Sequence, residues 1–277
     1  MSAELCDVCR REGWKHPIAF TGERLCDACF RIRFLKRVRR TINKHRLLTP
    51  RSKVLLGVSG SVQSMAMAKA VWELERKYGA VRVSFVHVLR WGDAEEANAV
   101  REAFGQLRLP LENLRTVSLK ERRGFCLHEL VEEKSVSRGG LCRACRRLVP
   151  SVLTVEASRI GCDVVAYGDT ADELAEEALF FLSSERFESL ARIGAKRALS
   201  DGTLCRALPL SHVLKSEATS YLSSFGFSPS YSCSYRDVRK EEFSGITAQL
   251  EAKQPGSAFS AIKSFLSLSK SLDRSCR

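Results

Sequence analysis

Three short apolar runs, each followed by a stretch with helical spacing, set the rhythm of the chain. Lys53-Val-Leu-Leu-Gly-Val58 is continuous enough to read as a buried parallel strand. Met65, Ala68, Val71, Trp72 and Leu74 then recur at the spacing of one helix face. Val81–Val88 predicts a second strand with a helix over Ala94–Leu107 after it, and Asp163–Gly168 a later strand with a helix over Ala171–Leu182. This alternation predicts an α/β fold built on a parallel sheet covered on both faces. No internal repeat or low-complexity tract interrupts it.

Before Pro50 the pattern is different. Phe30, Phe34, Val38 and Ile42 recur every fourth residue with Leu35 beside them, which predicts an amphipathic helix. Its other face carries Arg31, Arg33, Lys36, Arg37, Arg39, Arg40 and Lys44, and residues 28–72 hold no Asp or Glu. A solvated face ordinarily mixes signs. A one-sign face suits contact with a phosphate backbone, where each neutralised phosphate releases counterions. Such contacts position a nucleic acid without reading its sequence.

Composition sharpens two points. The 277 residues are 44% hydrophobic and 28% charged, an ordinary globular balance. No stretch approaches the roughly 18 apolar residues of a membrane span, and the first residues lack a secretory pattern, so a cytoplasmic protein with no membrane partner is expected. The net charge of +13 suggests a polyanion as partner. The 11 cysteines are an odd number, and in a reducing compartment they point to metal, redox chemistry or plain burial rather than disulfides.

Four of them form a pattern. Cys6-x-x-Cys9 and Cys26-x-x-Cys29 are two knuckles separated by sixteen residues, the spacing at which four thiolates converge on one Zn²⁺. Trp14, Pro17, Ile18 and Phe20 between them are too few to build a core unaided. The site is closed, so its role is structural. Cys142 and Cys145 in Cys142-Arg-Ala-Cys-Arg-Arg147 admit three readings: a redox pair, half of a metal site, or free thiols. Cys126, Cys162, Cys205 and Cys276 match no pattern.

The first strand ends in Ser59-Gly-Ser-Val-Gln-Ser64, a turn that opens a helix. Backbone N–H groups at such a helix start point at an anion, and small residues let it approach. The Walker A pattern is absent. The segment resembles the S-G-G-x-D-S loop of the PP-loop ATPases, which cleave ATP between its α and β phosphates. Taken with the knuckles, the Cys142/Cys145 pair, Gly168-Asp-Thr-Ala-Asp-Glu173 and Pro255-Gly-Ser257, it makes the whole sequence similar to the tRNA 2-thiolation family.

That resemblance implies an adenine-nucleotide α-hydrolase-like fold in which Ser59, Gly60, Ser61, Gln63, Ser64, Gly168 and Asp169 face ATP and Mg²⁺. It implies adenylation of a uridine C2 carbonyl and displacement of AMP by sulfur. In cytosolic members the uridine is the wobble base and the sulfur arrives on a ubiquitin-like carrier. It also implies a [4Fe–4S] cluster held in the catalytic branch by Cys142, Cys145 and Cys233. Departures qualify the match. Ser61 replaces a glycine and gives up freedom at positive φ. Gln63 replaces an aspartate, and Gly168-Asp169-Thr170 stands where catalytic members carry Gly-His-Asn. These changes resemble the second, non-catalytic subunit of the thiolation complex, whereas Cys142, Cys145 and Cys233 resemble the catalytic one.

The expected organisation is a zinc module with its basic helix over residues 1–47 and a PP-loop domain over 48–277. Three functions fit: a tRNA-binding, non-catalytic subunit paired with a catalytic PP-loop subunit; a self-sufficient thiouridylase, as a homodimer or alone; and a zinc-stabilised nucleic-acid-binding protein on a retired scaffold. Asp169, Asp172, Glu173, Glu176 and Glu177 lie at a helix start, where they favour its positive dipole end.

Overall fold

The computed structural model describes residues 5–11, 13–79, 81–92, 94–133, 138–190, 192–199, 202–228 and 238–275. A two-stranded ribbon, β1 (His16–Pro17) and β2 (Arg24–Leu25), leads into α1 (Asp27–Lys44). Then follow β3 (Lys53–Val58), α2 (Val62–Tyr78), β4 (Arg82–Leu89), α3 (Ala94–Gln106), β5 (Leu114–Ser118), α4 (Leu119–Arg123) and α5 (Leu127–Glu132). The long helix α6 (Arg138–Arg159) precedes β6 (Val164–Ala166), α7 (Ala171–Ser183) and α8 (Phe187–Leu190). A hairpin of β7 (Lys196–Ala198) and β8 (Cys205–Ala207) is followed by α9 (Lys215–Ser223), α10 (Val238–Lys253) and α11 (Ser257–Ser275). No helix among the described residues is long and apolar enough to cross a membrane.

The six-stranded sheet has the order β5-β4-β3-β6-β8-β7. Every pairing is parallel except β7 with β8. Successive side chains of a strand point to opposite faces. Accordingly Val54 and Leu56 join one buried cluster with Met65, Phe85 and Phe104, while Leu55 joins another with Val86, Leu153 and Val165. The chain winds outward from β3 to β5, then returns to lay β6 on the other side of β3. The crevice at the carboxyl ends of β3 and β6 is therefore the switch point where open α/β sheets take their ligands.

The predicted amphipathic helix is α1, with Phe30, Phe34, Val38 and Ile42 buried as expected. Its apolar face belongs to the same cluster as the sheet, so Cys6, Ile18, Leu25 and Cys26 share one core with Val54 and Tyr221. Phe34 stacks on Tyr221 of α9 with centroids 4.1 Å apart. Tyr221 Oη donates to Glu73 Oε2 at 3.0 Å, and Lys69 Nζ lies 2.9 Å from Glu73 Oε1. Near the carboxyl end Glu251 accepts from Gly256 N at 2.6 Å and Ala258 N at 3.0 Å, which seats the Pro255-Gly-Ser257 segment at the start of α11.

Three cations of the basic helix serve this joint instead of facing outward. Arg31 Nε donates to Ser224 Oγ at 2.8 Å and its guanidinium lies 4.0 Å over Phe225. Arg33 pairs with Glu23. Arg37 binds Glu217 Oε2 at 2.6 Å, and the same oxygen accepts from Leu214 N at the start of α9. Burial pushes the Glu217 carboxyl above the usual carboxylate range, and Arg37 pulls it part of the way back. Positions flanking the buried stripe snorkel along the core edge, and there arginine finds partners across the interface. Lys36, Arg39, Arg40 and Lys44 remain exposed.

Removing Arg37 strands a carboxylate that is 13% exposed. Arg37→Ala is expected to cost about 2 kcal/mol in urea unfolding at pH 7. Without the guanidinium the folded-state pKa of Glu217 rises further above its unfolded value, so the deficit shrinks as the pH falls through that raised value. A variant as stable as the parent at pH 7 would mean that the pair does not hold α1 to α9.

Candidate functional site

At the end of β3 the backbone turns at Gly60, whose φ is +77°. The following residue, Ser61, sits at φ −69° and caps α2 by accepting from Ser64 N. The loss of positive-φ freedom at this position therefore costs nothing: the left-handed residue is Gly60, and serine adds a cap that glycine lacks. Ser59, Ser61 and Ser64 converge, with Ser59 Oγ 3.1 Å from Ser61 Oγ and 3.2 Å from Ser64 Oγ, and Ser61 Oγ 3.2 Å from Ser64 Oγ. Three hydroxyls at the first turn of a long helix make a cradle for a phosphate-sized anion. Beneath it, buried His87 bonds Val58 O through Nδ1 at 2.9 Å. Burial lowers the pKa of His87, with Glu96 opposing, so the ring serves as a neutral prop for the strand end.

The opposite wall comes from β6. A side chain at Gly168 would place Cβ 2.7 Å from Gln63 C and 2.8 Å from Ser64 N, so only glycine lets the first turn of α2 rest there. Beyond it Thr170 caps α7, and Glu173 closes the capping box, its Oε2 accepting from Thr170 N at 3.2 Å. Glu173 Oε1 accepts from Gln63 Nε2 at 3.1 Å. Asp169 Oδ2 is 3.4 Å from Arg206 Nη2. The five acids expected at this helix start thus divide. Asp172 accepts from Lys215 N and buried Glu176 from Thr247 Oγ1, Glu173 closes the cap, and Asp169 and Glu177 face charge across the cleft.

That charge is Arg146 on α6. Burial works against its ionised form, but the carboxylates of Glu177, Asp169 and Glu173, together with Cys142, raise its pKa above the ordinary value. Cys142 lies one helical turn before Arg146 on α6. Cys145 lies three residues on and packs against the second core cluster. Cys233 lies outside the described residues, as does Cys276. Arg206 was not singled out from the sequence, and Arg146 entered only as part of the Cys142–Arg147 motif, with no partner assigned. A strand register or a helix phase has to be known before either arginine can be assigned to the cleft.

The four cysteines of the knuckles come together. All four Sγ atoms lie within 4.8 Å of one another, and Cys9 Sγ to Cys26 Sγ is 3.8 Å. Tetrahedral thiolates at a metal–sulfur distance of about 2.3 Å stand about 3.8 Å apart, so the donor set fits one such ion. Burial would hold Cys6 protonated, yet the N–H groups of Cys9, Cys26 and Val8 bring its pKa down to about 6. Cys29 is pushed up to about 12 by burial and its neighbouring thiols. Four thiolates in one pocket need a cation, and zinc and iron both accept this set. Cys126 is buried at the start of α5, where it forms a capping box with Glu129, and burial drives Cys162 up to about 11, an inert thiol. Cys205 is half-buried on β8.

Comparison with known proteins bears on the cleft. Residues 32–228 match the profile of the PP-loop domain. The tRNA-5-methyluridine(54) 2-sulfurtransferase of Pyrococcus horikoshii is 25% identical over 267 residues, 96% of this chain and 83% of that one. The protein of the same name from Thermus thermophilus is 29% identical over 78% of this chain and 65% of its own. Cytoplasmic tRNA 2-thiolation protein 1 of Dictyostelium discoideum is 26% identical over 79% and 61%. This chain spans less than two thirds of the latter two. In structure it is similar to the U34-tRNA thiolase NcsA from Methanococcus maripaludis, described with its [4Fe-4S] cluster. The TM-score is 0.80 at 22% identity, over 98% of this chain and 88% of that one, a likeness of fold. With its matched profile running from α1 to the end of α9 across both walls of the cleft, the chain belongs to the PP-loop domain family.

Proposed function

We propose that this chain serves tRNA 2-thiolation at the wobble uridine as the non-catalytic, tRNA-binding partner of a catalytic PP-loop subunit. The names of its relatives support the thiolation system and a cytoplasmic setting. The observation that carries the finer reading is the hydrogen bond from Gln63 Nε2 to Glu173 Oε1. The loop has lost one carboxylate, and the adjacent one is engaged by Gln63 and Thr170 through both oxygens. A triphosphate with Mg²⁺ needs oxygen ligands at this place. The serine cradle suits the phosphates of a nucleotide, while the nearby carboxylates Glu173 and Asp169 are each engaged by a protein partner instead of standing open to a metal.

In this role Lys36, Arg39, Arg40 and Lys44 meet the tRNA backbone, the knuckle cysteines hold a structural zinc, and the sulfur carrier reaches the complex through the catalytic subunit. A second reading, a self-sufficient thiouridylase, is favoured by Cys142 and Cys145 lying on α6 within one turn of Arg146. Cys142, Cys145 and Cys233 would then hold a [4Fe–4S] cluster, whose open iron supplies a binding place for sulfur. A retired scaffold that binds nucleic acid without thiolation is the remaining alternative.

Anaerobically purified protein, incubated with tRNA, ATP-Mg²⁺ and sulfide, is expected to bind the tRNA and form no 2-thiouridine. Adding a catalytic PP-loop subunit should restore the product. Turnover by the chain alone, with iron and visible absorbance, would overturn the accessory role and assign the enzyme. Restoring the acid tests the carrying observation directly. Gln63→Asp replaces a hydrogen bond with two facing carboxylates and is expected to lose about 1–2 kcal/mol at pH 7. The pair's folded pKa lies above the unfolded value, so the loss fades as the pH falls through it. Millimolar Mg²⁺ should return most of the stability in a thermal melt. Undiminished stability at pH 7 without Mg²⁺ would remove the argument from Gln63.

A further inference from the structure

The edge hairpin holds a charge arrangement that the fold does not need. In the register of β7 and β8, Arg197 stands directly opposite Arg206. Opposed residues share a face, and like charges in that position cost stability. Arg192, exposed in the segment that leads into β7, adds a third guanidinium on this edge. Among the described residues no carboxylate forms an ion pair with Arg192, Lys196 or Arg197, while Arg206 has Asp169 at 3.4 Å. All three residues of β7 are exposed.

The hairpin also joins two regions already described. Lys196, one position from Arg197 and so on the other face, donates through Nζ to Arg46 O at 2.6 Å, just past the end of α1. Arg197 and Arg206 lie on the opposite face, where Asp169 links Arg206 to the group that includes Arg146. The edge therefore carries cations from the exposed end of the basic helix, around the last strand, to the cleft. Charged side chains do guard sheet edges against pairing. A guard is satisfied by scattered lysines and does not call for opposed arginines at a ligand crevice. Arginine's planar fork suits phosphate oxygens.

We propose that the β7–β8 edge is a phosphate-backbone landing surface for RNA, carrying the strand from the exposed cations of α1 into the cleft between β3 and β6. It deepens the tRNA-binding reading and rests on it. The partner is recognised by its spaced phosphates, which offset the repulsion between the arginines. Arg192 and Arg197 supply the contacts nearest the rim, and Arg206, tied to Asp169, marks the entrance.

Filter binding of the full-length protein to an in vitro transcribed tRNA, over a range of KCl concentrations, tests this. Arg192→Ala with Arg197→Ala is expected to weaken binding on the order of tenfold near 0.1 M salt and to reduce the slope of log affinity against log salt by about 1–2. The thermal midpoint should stay or rise, because a like-charge pair is removed. Arg192→Lys with Arg197→Lys should keep most of the slope. Unchanged affinity and slope in the alanine variant, while Arg39→Ala with Arg40→Ala weakens binding, would overturn the landing surface and leave tRNA binding standing. Lysines that lose as much as alanines, or a fall in the midpoint, would also overturn it. If the parent protein fails to hold tRNA at all, the underlying reading falls and the landing surface with it.

Discussion

The first turn of α2 rests directly on Gly168, and the cleft exists because of that contact. With 2.7 Å between a would-be Cβ and the backbone of Gln63, there is room for a hydrogen and nothing larger. The approach fixes the spacing between the serine cradle and the start of α7, so Gln63 can reach Glu173 and Asp169 can face Arg146 and Arg206. A parallel sheet alone would bring β3 and β6 side by side at the ordinary strand spacing. Gly168, two residues past the end of β6, converts that adjacency into a closed wall of polar groups.

A second constraint binds the cysteine knuckles to this frame. Their ribbon has two residues per strand, too little to hold itself together. The four convergent cysteines stand on one side, and the other borrows the core of the α/β domain through Phe30, Phe34 and Tyr221. Buried Cys6 and Cys26 belong to that same cluster. Disturbing the cysteine cluster would therefore be felt in the packing of α1 on α9, and through Tyr221 and Glu73 in α2, the helix that carries the serine cradle. The basic helix is held at both edges by arginines that would otherwise be counted as ligands for RNA.

Much of this was legible in the sequence, for physical reasons that differ from element to element. Buried parallel strands announce themselves as unbroken apolar runs, so β3, β4 and β6 were each found within a residue or two. The helical period gave α1 its buried face, and the knuckle spacing gave the cysteine cluster, because tight turns make ligand geometry local. What stayed hidden was every contact between distant segments. Nothing near Arg37 reveals that it meets Glu217, 180 residues on, nor does Gln63 announce Glu173. The sequence also overvalued the second loop glycine, since the turn needs its positive φ one residue earlier, at Gly60.

Charge is the quantity whose meaning the fold changes most. The net excess of +13 says that a polyanion is welcome, yet its parts do different work according to position. Cations beside the buried stripe of α1 are consumed by aromatic rings and carboxylates across an interface, where low polarity strengthens each pairing. Arg146 and Arg206 are balanced by acids at the cleft, so they keep it polar without making it strongly positive. The outer face of α1 and the edge hairpin both present exposed cations. Total charge therefore overstates how much positive surface the fold leaves open, and the position of each side chain decides its use.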